Sequence, residues 1–400
     1  MSSPLRLVFW ETTKACNLTC RHCRAVPQTS MGPGELTTAR AFTLMDEIAR
    51  VGKPVVVLSG GEPLFRPDIF DIADYGVQTG FRMALATNGT LVTEMRAARI
   101  ADAGFARVAI SLDGSKPETH DRFRGVPGAH AKALAGLRFL RAEGVSVQIN
   151  STIAKHNVGE LPALLDLALS IGADALHLFM LVPVGCGLEI APAQMLPAEE
   201  YERVLHWFDE QAETCPIDLK ATCAPHYYRI RAQHIEEERR RGNYAATFIA
   251  PGTKAKAAPM FTSVQHGPHT HGGQPLSAMT RGCLAGTSVC FVSNLGEVYP
   301  CGYLPVAAGD TRTERFADIW NHSPLFTQLR DPGALEGKCG ECRYEAICGG
   351  CRARAYAETG SFLAEEPFCT YRPDLDKPVR PASPAKTPMI CDNSRAQRAS

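Results

Sequence analysis

Two periodicities alternate between Leu5 and Leu181, and that alternation limits the fold more than any other feature. Short apolar, β-branched runs occur at Leu5–Glu11 (LRLVFWE), Val55–Leu58 (VVVL), Met83–Ala86, Val108–Leu112 (VAISL), Val145–Thr152 (VSVQINST) and Ala175–Leu181 (ALHLFML). Runs of this kind suit strands buried on both faces of a parallel sheet. Helical patterns separate them at Thr37–Val51, Ile69–Thr79, Glu94–Ala103, Ala129–Glu143 and Leu161–Ile171, followed by Gly52, Gly80, Gly104, Gly144 and Gly172 as expected C-caps. Strands alternating with helices predict an α/β chain with a parallel sheet. Six units are too few to close an eight-unit barrel, so an open, partial (β/α)6 TIM-like barrel is expected, with its chemistry at the strand C-termini.

The cysteines are the second constraint. There are 15 in 400 residues. Cys16, Cys20 and Cys23 form one group, and Cys283, Cys290, Cys301, Cys339, Cys342, Cys348, Cys351 and Cys369 a second. The N-terminus has no signal-peptide pattern, and no run reaches the ~18 apolar residues of a membrane span. A cytoplasmic, membrane-free protein is therefore expected, in which clustered thiols are metal ligands or catalytic groups rather than disulfides. Lys plus Arg equals Asp plus Glu, 42 each, which gives no electrostatic case for nucleic acid or anionic membrane. The chain divides into a barrel (1–213), a connecting segment or lid (214–280), a cysteine-rich domain (281–375) and a disordered tail (376–400). His266, His269 and His271 lie among glycine and proline in the connecting segment and read as loop rather than metal site.

Cys16-x3-Cys20-x2-Cys23 follows the first strand directly. A structural zinc site closes with four protein ligands. A [4Fe–4S] cube also takes four thiolates, so three leave one iron open to a small molecule. Zinc with a further ligand stays open as the alternative. Each following strand ends in its own polar motif: Ser59-Gly60-Gly61-Glu62-Pro63, Thr87-Asn88-Gly89 and Ser111-Leu112-Asp113-Gly114. Glycines there admit a polar ligand close to the backbone, Glu62 has a carboxylate to offer an ammonium, and a strand-end carboxylate commonly holds ribose hydroxyls.

In this arrangement the chain, from about Arg6 to Pro183, resembles the radical S-adenosylmethionine (SAM) superfamily. CNLTCRHC matches its CxxxCxxC signature, and GGEP its glycine-rich motif. The resemblance implies that Cys16, Cys20 and Cys23 bind a [4Fe–4S] cluster whose open iron chelates SAM, and that one electron cleaves SAM to a 5′-deoxyadenosyl radical. It implies Gly60, Gly61 and Glu62 at the SAM amino end, Ser111 and Asp113 near the ribose, and Asn150 near SAM. Arg122, or its neighbour Arg124, would pair with the SAM carboxylate.

The second cysteine group, with Gly296 ahead of Cys301, resembles the SPASM extension of that superfamily, although CGGC has one residue fewer than the usual last spacing. The extension implies one or two auxiliary [4Fe–4S] clusters. One would use Cys339, Cys342, Cys348 and Cys369; the other Cys283, Cys301 and Cys351, with Cys290 as a possible fourth. Ribbon-type zinc sites remain the alternative, since both use thiolate tetrads. Cys186, Cys215 and Cys391 read as non-ligands, and Cys223 as packing in preference to a pocket role.

WETTKACNLTCRHCRA, SLDGSKPETHDRFRGVPGAH, KATCAPHYYRI, MTRGCLAGTSVCFVSNLGEVYPCGYL and CGGCRARAYAETG resemble the haem synthases of the alternative, sirohaem-derived pathway. That resemblance implies oxidative decarboxylation of two propionates of a tetrapyrrole, iron-coproporphyrin III, with a ferredoxin- or flavodoxin-type electron donor. Related enzymes of haem d1 formation or didecarboxysirohaem side-chain removal, and peptide-modifying SPASM maturases, are the alternatives. Substrate carboxylates call for arginine partners, with Arg229 and Arg281 as candidates, and His226 or a tyrosine beside it (Tyr227, Tyr228) is the candidate to face the porphyrin iron.

Overall fold

The computed structural model describes residues 4–242 and 282–373. All six expected strands are present: β1 (Leu7–Glu11), β2 (Val55–Ser59), β3 (Arg82–Thr87), β4 (Arg107–Ser111), β5 (Val147–Ile153) and β6 (Ala175–Met180). Between them lie α1 (Thr38–Val51), α2 (Ile69–Gln78), α3 (Glu94–Asp102), α4 (Pro117–Arg124), α5 (Ala129–Ala142) and α6 (Leu161–Ser170). The Thr37 and Thr93 hydroxyls accept from the Arg40 and Arg96 amides and start α1 and α3. Gly80, Gly104, Gly144 and Gly172 take left-handed φ values of 89°, 72°, 70° and 68°, whereas Gly52 is extended at φ 167°.

The chain then forms α7 (Gly187–Gln194), α8 (Ala198–Thr214), a seventh strand β7 (Asp218–Thr222) and α9 (His226–Arg240). After the undescribed residues come β8 (Val289–Val292), β9 (Glu297–Tyr299) and β10 (Gly309–Asp310), then α10 (Phe316–His322), α11 (Pro324–Leu329), α12 (Gly337–Gly340) and α13 (Arg352–Thr359).

One ten-stranded sheet runs in the order β10-β9-β8-β1-β2-β3-β4-β5-β6-β7. Strands β1 to β7 pair in parallel, and β8 pairs in parallel with the outer side of β1, Leu7 opposite Val289. The sheet is open, as expected, and extends past both ends of the six-strand core. Its helix-facing side is one apolar core, to which Val8, Leu58, Leu85, Ile110, Ile149, Leu178 and Ala221 contribute one residue from each of β1 to β7. Because β8 belongs to the same sheet, the cysteine-rich region is built directly onto the barrel. Among the described residues no helix is long and apolar enough to cross a membrane.

Candidate active site

The tricysteine loop leaves β1 and folds back over the ends of β2 and β3. Backbone bonds tie it down: Gly61 N donates to Thr13 O (2.7 Å), Glu62 N to Ala15 O (2.7 Å), and Cys16 N to Gln28 O (2.8 Å). A Cβ on Gly60 would lie 2.6 Å from Thr13 O, and one on Gly61 2.4 Å from Ala15 O. Here the two glycines let the cluster loop itself approach, which is a different use of their small size from a ligand cradle. Cys16, Cys20 and Cys23 pack into one small cluster with Leu18 and Ala129.

The carboxylate of Glu62 is fully buried. It accepts from the Thr87 hydroxyl (2.7 Å), Asn88 N (2.8 Å) and Leu64 N (3.1 Å), so it locks the end of β2 to the end of β3. Asn88 in turn donates to Asn17 Oδ1 (2.9 Å) and Cys16 Sγ (3.9 Å). Asp113 is likewise fully buried, 2.6 Å from Arg124 Nε and 3.5 Å from His22 Nε2, and accepts from Thr152 N (2.8 Å). Burial pushes its carboxyl up, but the Arg124 guanidinium, helped by the Thr152 N–H, outweighs burial and holds it below the usual range. Burial drives His22 down to about 3, so this ring is neutral, and it stacks on Phe123 at 3.9 Å.

Arg122 is exposed, whereas Arg124 is buried and donates to Cys20 Sγ at 3.6 Å. Of the two neighbours, Arg124 meets the cluster loop, and its partner there is Asp113. Ser111 and Asn150 stand opposite each other on β4 and β5.

Burial pushes the thiols of Cys16 and Cys23 up to about 11 and raises that of Cys20. Desolvated thiols become thiolates when a positively charged metal centre binds them. Leu18 N (3.4 Å), Asn88 and Arg124 already point N–H donors at these sulfurs, the hydrogen bonding that iron–sulfur thiolates take. Donor set and surroundings fit a cluster held by three thiolates.

Farther along, eight thiols fall into two groups of four. Cys339, Cys342, Cys348 and Cys369 line one recess. Tyr344 N (3.4 Å) donates to Cys342 Sγ and Glu366 N (3.3 Å) to Cys339 Sγ. Cys283, Cys301 and Cys351 lie in a second neighbourhood, and Cys223 lies beside them. Cys223, Cys301 and Cys351 share one packed cluster, and Cys283 lies within electrostatic reach of the Cys223 thiol. Cys290 is elsewhere, fully buried in the barrel core on β8. Cys223 follows β7 directly and has φ 55°, the one non-glycine residue with positive φ among those described. A cysteine held there pays a strain cost that a purely packing role does not require.

The two regions meet at Tyr303. Its phenol lies within electrostatic reach of Cys23 and Arg24 on one side and of Cys223 and Cys301 on the other. Arg24 pairs with Glu11 (3.0 Å) and lies over Phe291 of β8 (4.2 Å).

Two substrate contacts expected from sequence are placed differently. Arg229 pairs with Glu202, donates to Gln233 (2.6 Å) and lines the Cys339–Cys369 recess. It already has a carboxylate partner. His226 is fully buried, 4.7 Å from the Tyr201 ring, and burial lowers its pKa to about 3. Arg281, Cys391 and the histidines at 266, 269 and 271 lie outside the described residues.

A site of three gathered thiols at the mouth of a parallel barrel, with further thiol tetrads beside it, defines a class. The radical SAM superfamily matches residues 10–168, and the SPASM iron–sulfur cluster-binding domain matches residues 283–352. The chain belongs to the radical SAM superfamily and carries a SPASM domain, which makes it an iron–sulfur, SAM-dependent enzyme.

Within that class, the chain is 48% identical over 373 residues to an AdoMet-dependent heme synthase of Methanosarcina barkeri, covering 93% of this chain and 98% of the relative. It is 34% identical to a pre-heme d1 synthase of Dinoroseobacter shibae, covering 92% and 86%. Among solved structures, SuiB of Streptococcus suis bound to S-adenosylmethionine superposes with a TM-score of 0.67 at 16% identity, covering 92% of this chain and 78% of that one.

Proposed function

We propose that this enzyme converts propionate side chains of a tetrapyrrole to vinyl groups by oxidative decarboxylation, with iron-coproporphyrin III as substrate. The identity to a heme synthase over nearly the whole of both chains supports a tetrapyrrole. The observation that carries the chemistry is the thiol tetrad Cys223, Cys283, Cys301 and Cys351 beside the tricysteine loop. Vinyl formation removes from each propionate one hydrogen atom, one CO2 and one electron. The hydrogen and the electron leave separately, so the site needs two acceptors.

When bound at Cys16, Cys20 and Cys23, the cluster supplies an electron that splits SAM into methionine and a 5′-deoxyadenosyl radical, the hydrogen-atom acceptor. The tetrad is where a second, electron-accepting centre would be held, and Cys339, Cys342, Cys348 and Cys369 would hold a third. Glu62 and Asp113 fix the strand ends on which SAM lies, with Gly60 and Gly61 admitting the cluster loop. Ser111 and Asn150 face SAM from β4 and β5. Arg124 neutralises the cluster thiolates, and a low-potential donor of ferredoxin or flavodoxin type recharges the enzyme.

The test is anaerobic reconstitution with iron, sulfide and dithionite, then SAM and iron-coproporphyrin III. Mass spectrometry is expected to detect 5′-deoxyadenosine together with a porphyrin short of CO2 and two hydrogens per converted propionate. Deoxyadenosine without any porphyrin product would remove this substrate, and parallel incubation with the haem d1 precursor would then decide for the second relative's chemistry.

A further inference from the structure

The side of the sheet facing away from the helices carries a polar row that continues past Ser111 and Asn150 to two residues, His177 and Lys220, with no cofactor role. Ser111, Asn150, His177 and Lys220 are in register across β4, β5, β6 and β7. Their strand neighbours Ile110, Ile149, Leu176, Leu178 and Ala221 belong to the helix-facing core. Side chains alternate across a strand, so the four share the opposite, inner face.

Hydrogen bonding fixes what this row offers. Gln148 Nε2 donates to Asn150 Oδ1 (2.7 Å) and lies 3.0 Å from His177 Nδ1. Since Gln148 donates, His177 Nδ1 accepts and its proton sits on Nε2. Asn150 then has its amide N–H groups left over, His177 its Nε2–H, and Lys220 its ammonium. At this register three adjacent strands each present an N–H donor.

Lys220 has no hydrogen-bond or ion-pair partner among the described residues. The nearest acid on its own face, Asp218, is engaged by Arg107 at 3.9 Å. Burial lowers the Lys220 ammonium to about 8, with no carboxylate opposing it. A desolvated cation without a counter-charge is costly unless a ligand brings one.

Position separates this ligand from SAM. The tricysteine loop follows β1 and the glycine motif follows β2, whereas Lys220 is on the edge strand β7, three residues before Cys223. We propose that His177 and Lys220 form a carboxylate-binding site for a propionate of the substrate, with Lys220 as its counter-ion. The proposal rests on the tetrapyrrole reading above. It places the bound side chain between the SAM side of the sheet and the Cys223 tetrad.

The test is absorbance titration of reconstituted holoenzyme with iron-coproporphyrin III and, in parallel, with its tetramethyl ester. SAM affinity is measured on the same samples, and iron per chain checks cluster loading. K220Q is expected to weaken binding of the acid about 10- to 100-fold, the loss of a charged hydrogen bond. The ester and SAM affinities are expected to stay unchanged, and K220R to restore most of the acid affinity. H177F, on a different strand, is expected to lose about 3- to 10-fold and keeps the test decisive if K220Q loads poorly. Unchanged acid affinity in both variants, or equal loss for acid and ester, overturns the site. Loss of SAM affinity alone would overturn it too, by assigning the row to the SAM carboxylate. A wild-type enzyme that binds neither porphyrin overturns the tetrapyrrole reading and this site with it.

Discussion

The tricysteine loop and the Cys223 tetrad are both thiol sites at strand ends, yet they are assembled in opposite ways. The first comes from one short loop folded on itself and pressed against Gly60 and Gly61. The second draws on four separate segments: the end of β7, the residues before β8, the turn after β9 and the start of α13. Each has a buried ion pair beside it. Arg124 bonds Asp113 and Cys20 Sγ, while Arg354 bonds Glu366 (3.0 Å), whose second oxygen accepts from Cys351 N (2.7 Å). The lesson is that a cluster that must leave an iron open needs one rigid loop, whereas one closed by protein can tie distant segments together.

The strongest way to break this comparison is to remove one thiol from each site. C20A is expected to abolish SAM cleavage, read as loss of 5′-deoxyadenosine to background. C223A is expected to separate the two halves of the reaction. Deoxyadenosine should still form, vinyl product should fall sharply, and iron per chain should drop by one auxiliary cluster. If C223A loads all its iron and makes product at the wild-type rate, Cys223 is not a ligand and its strained φ has another cause.

The ion pairs come next. Removing one partner of a buried pair typically costs about 3–5 kcal/mol because the other charge is left unpaired. R124L and E366Q are both expected to lower the thermal midpoint of anaerobic holoenzyme substantially, while replacing a surface pair member, as in R50A, is expected to change it little. A shift for R124L but none for E366Q would mean that the two pairs do not serve equivalent roles. G60A is expected to cost less, about 1–3 kcal/mol, because its Cβ meets the Thr13 backbone and the loop must move.

Sequence reading reached these two sites unequally, for physical reasons. Strands β1 to β6 were legible because their apolar runs are buried against helices and because glycines end the helices between them. β7 (DLKAT) was not, because Asp218, Lys220 and Thr222 make its inner face polar. That polarity broke the pattern and hid the strand inside the segment read as a connection. The tricysteine was legible because its ligands are local. Cys223 was not, since only topology brings it to Cys283, Cys301 and Cys351, although its place just after a strand was a usable signal. Cys290 was a candidate fourth ligand through the SPASM resemblance, but alternation on β8 turns it into the core. Arg124 was readable over Arg122 from helix spacing, since His120, Phe123 and Arg124 share the buried face of α4.

The smallest effect separates the sites by tuning rather than by loss. Asn88 Nδ2 donates to Cys16 Sγ at 3.9 Å, a long, neutral contact, and Arg352 Nη2 makes the corresponding charged contact to Cys339 at the same distance. A donor to a cluster thiolate favours the reduced, more negative state, so its removal lowers the reduction potential. A neutral hydrogen bond worth about 0.5–1.5 kcal/mol limits the shift to about 20–60 mV for one electron. N88A is therefore expected to move only the potential of the SAM-binding cluster, downward and within that range, in an EPR-monitored redox titration. R352A is expected to move an auxiliary potential further in the same direction, since the lost donor carries charge. If N88A moves an auxiliary signal instead, the assignment of Asn88 to the tricysteine site fails, while an R352A shift smaller than that of N88A would show that solvent, not the guanidinium, sets the charge felt at Cys339.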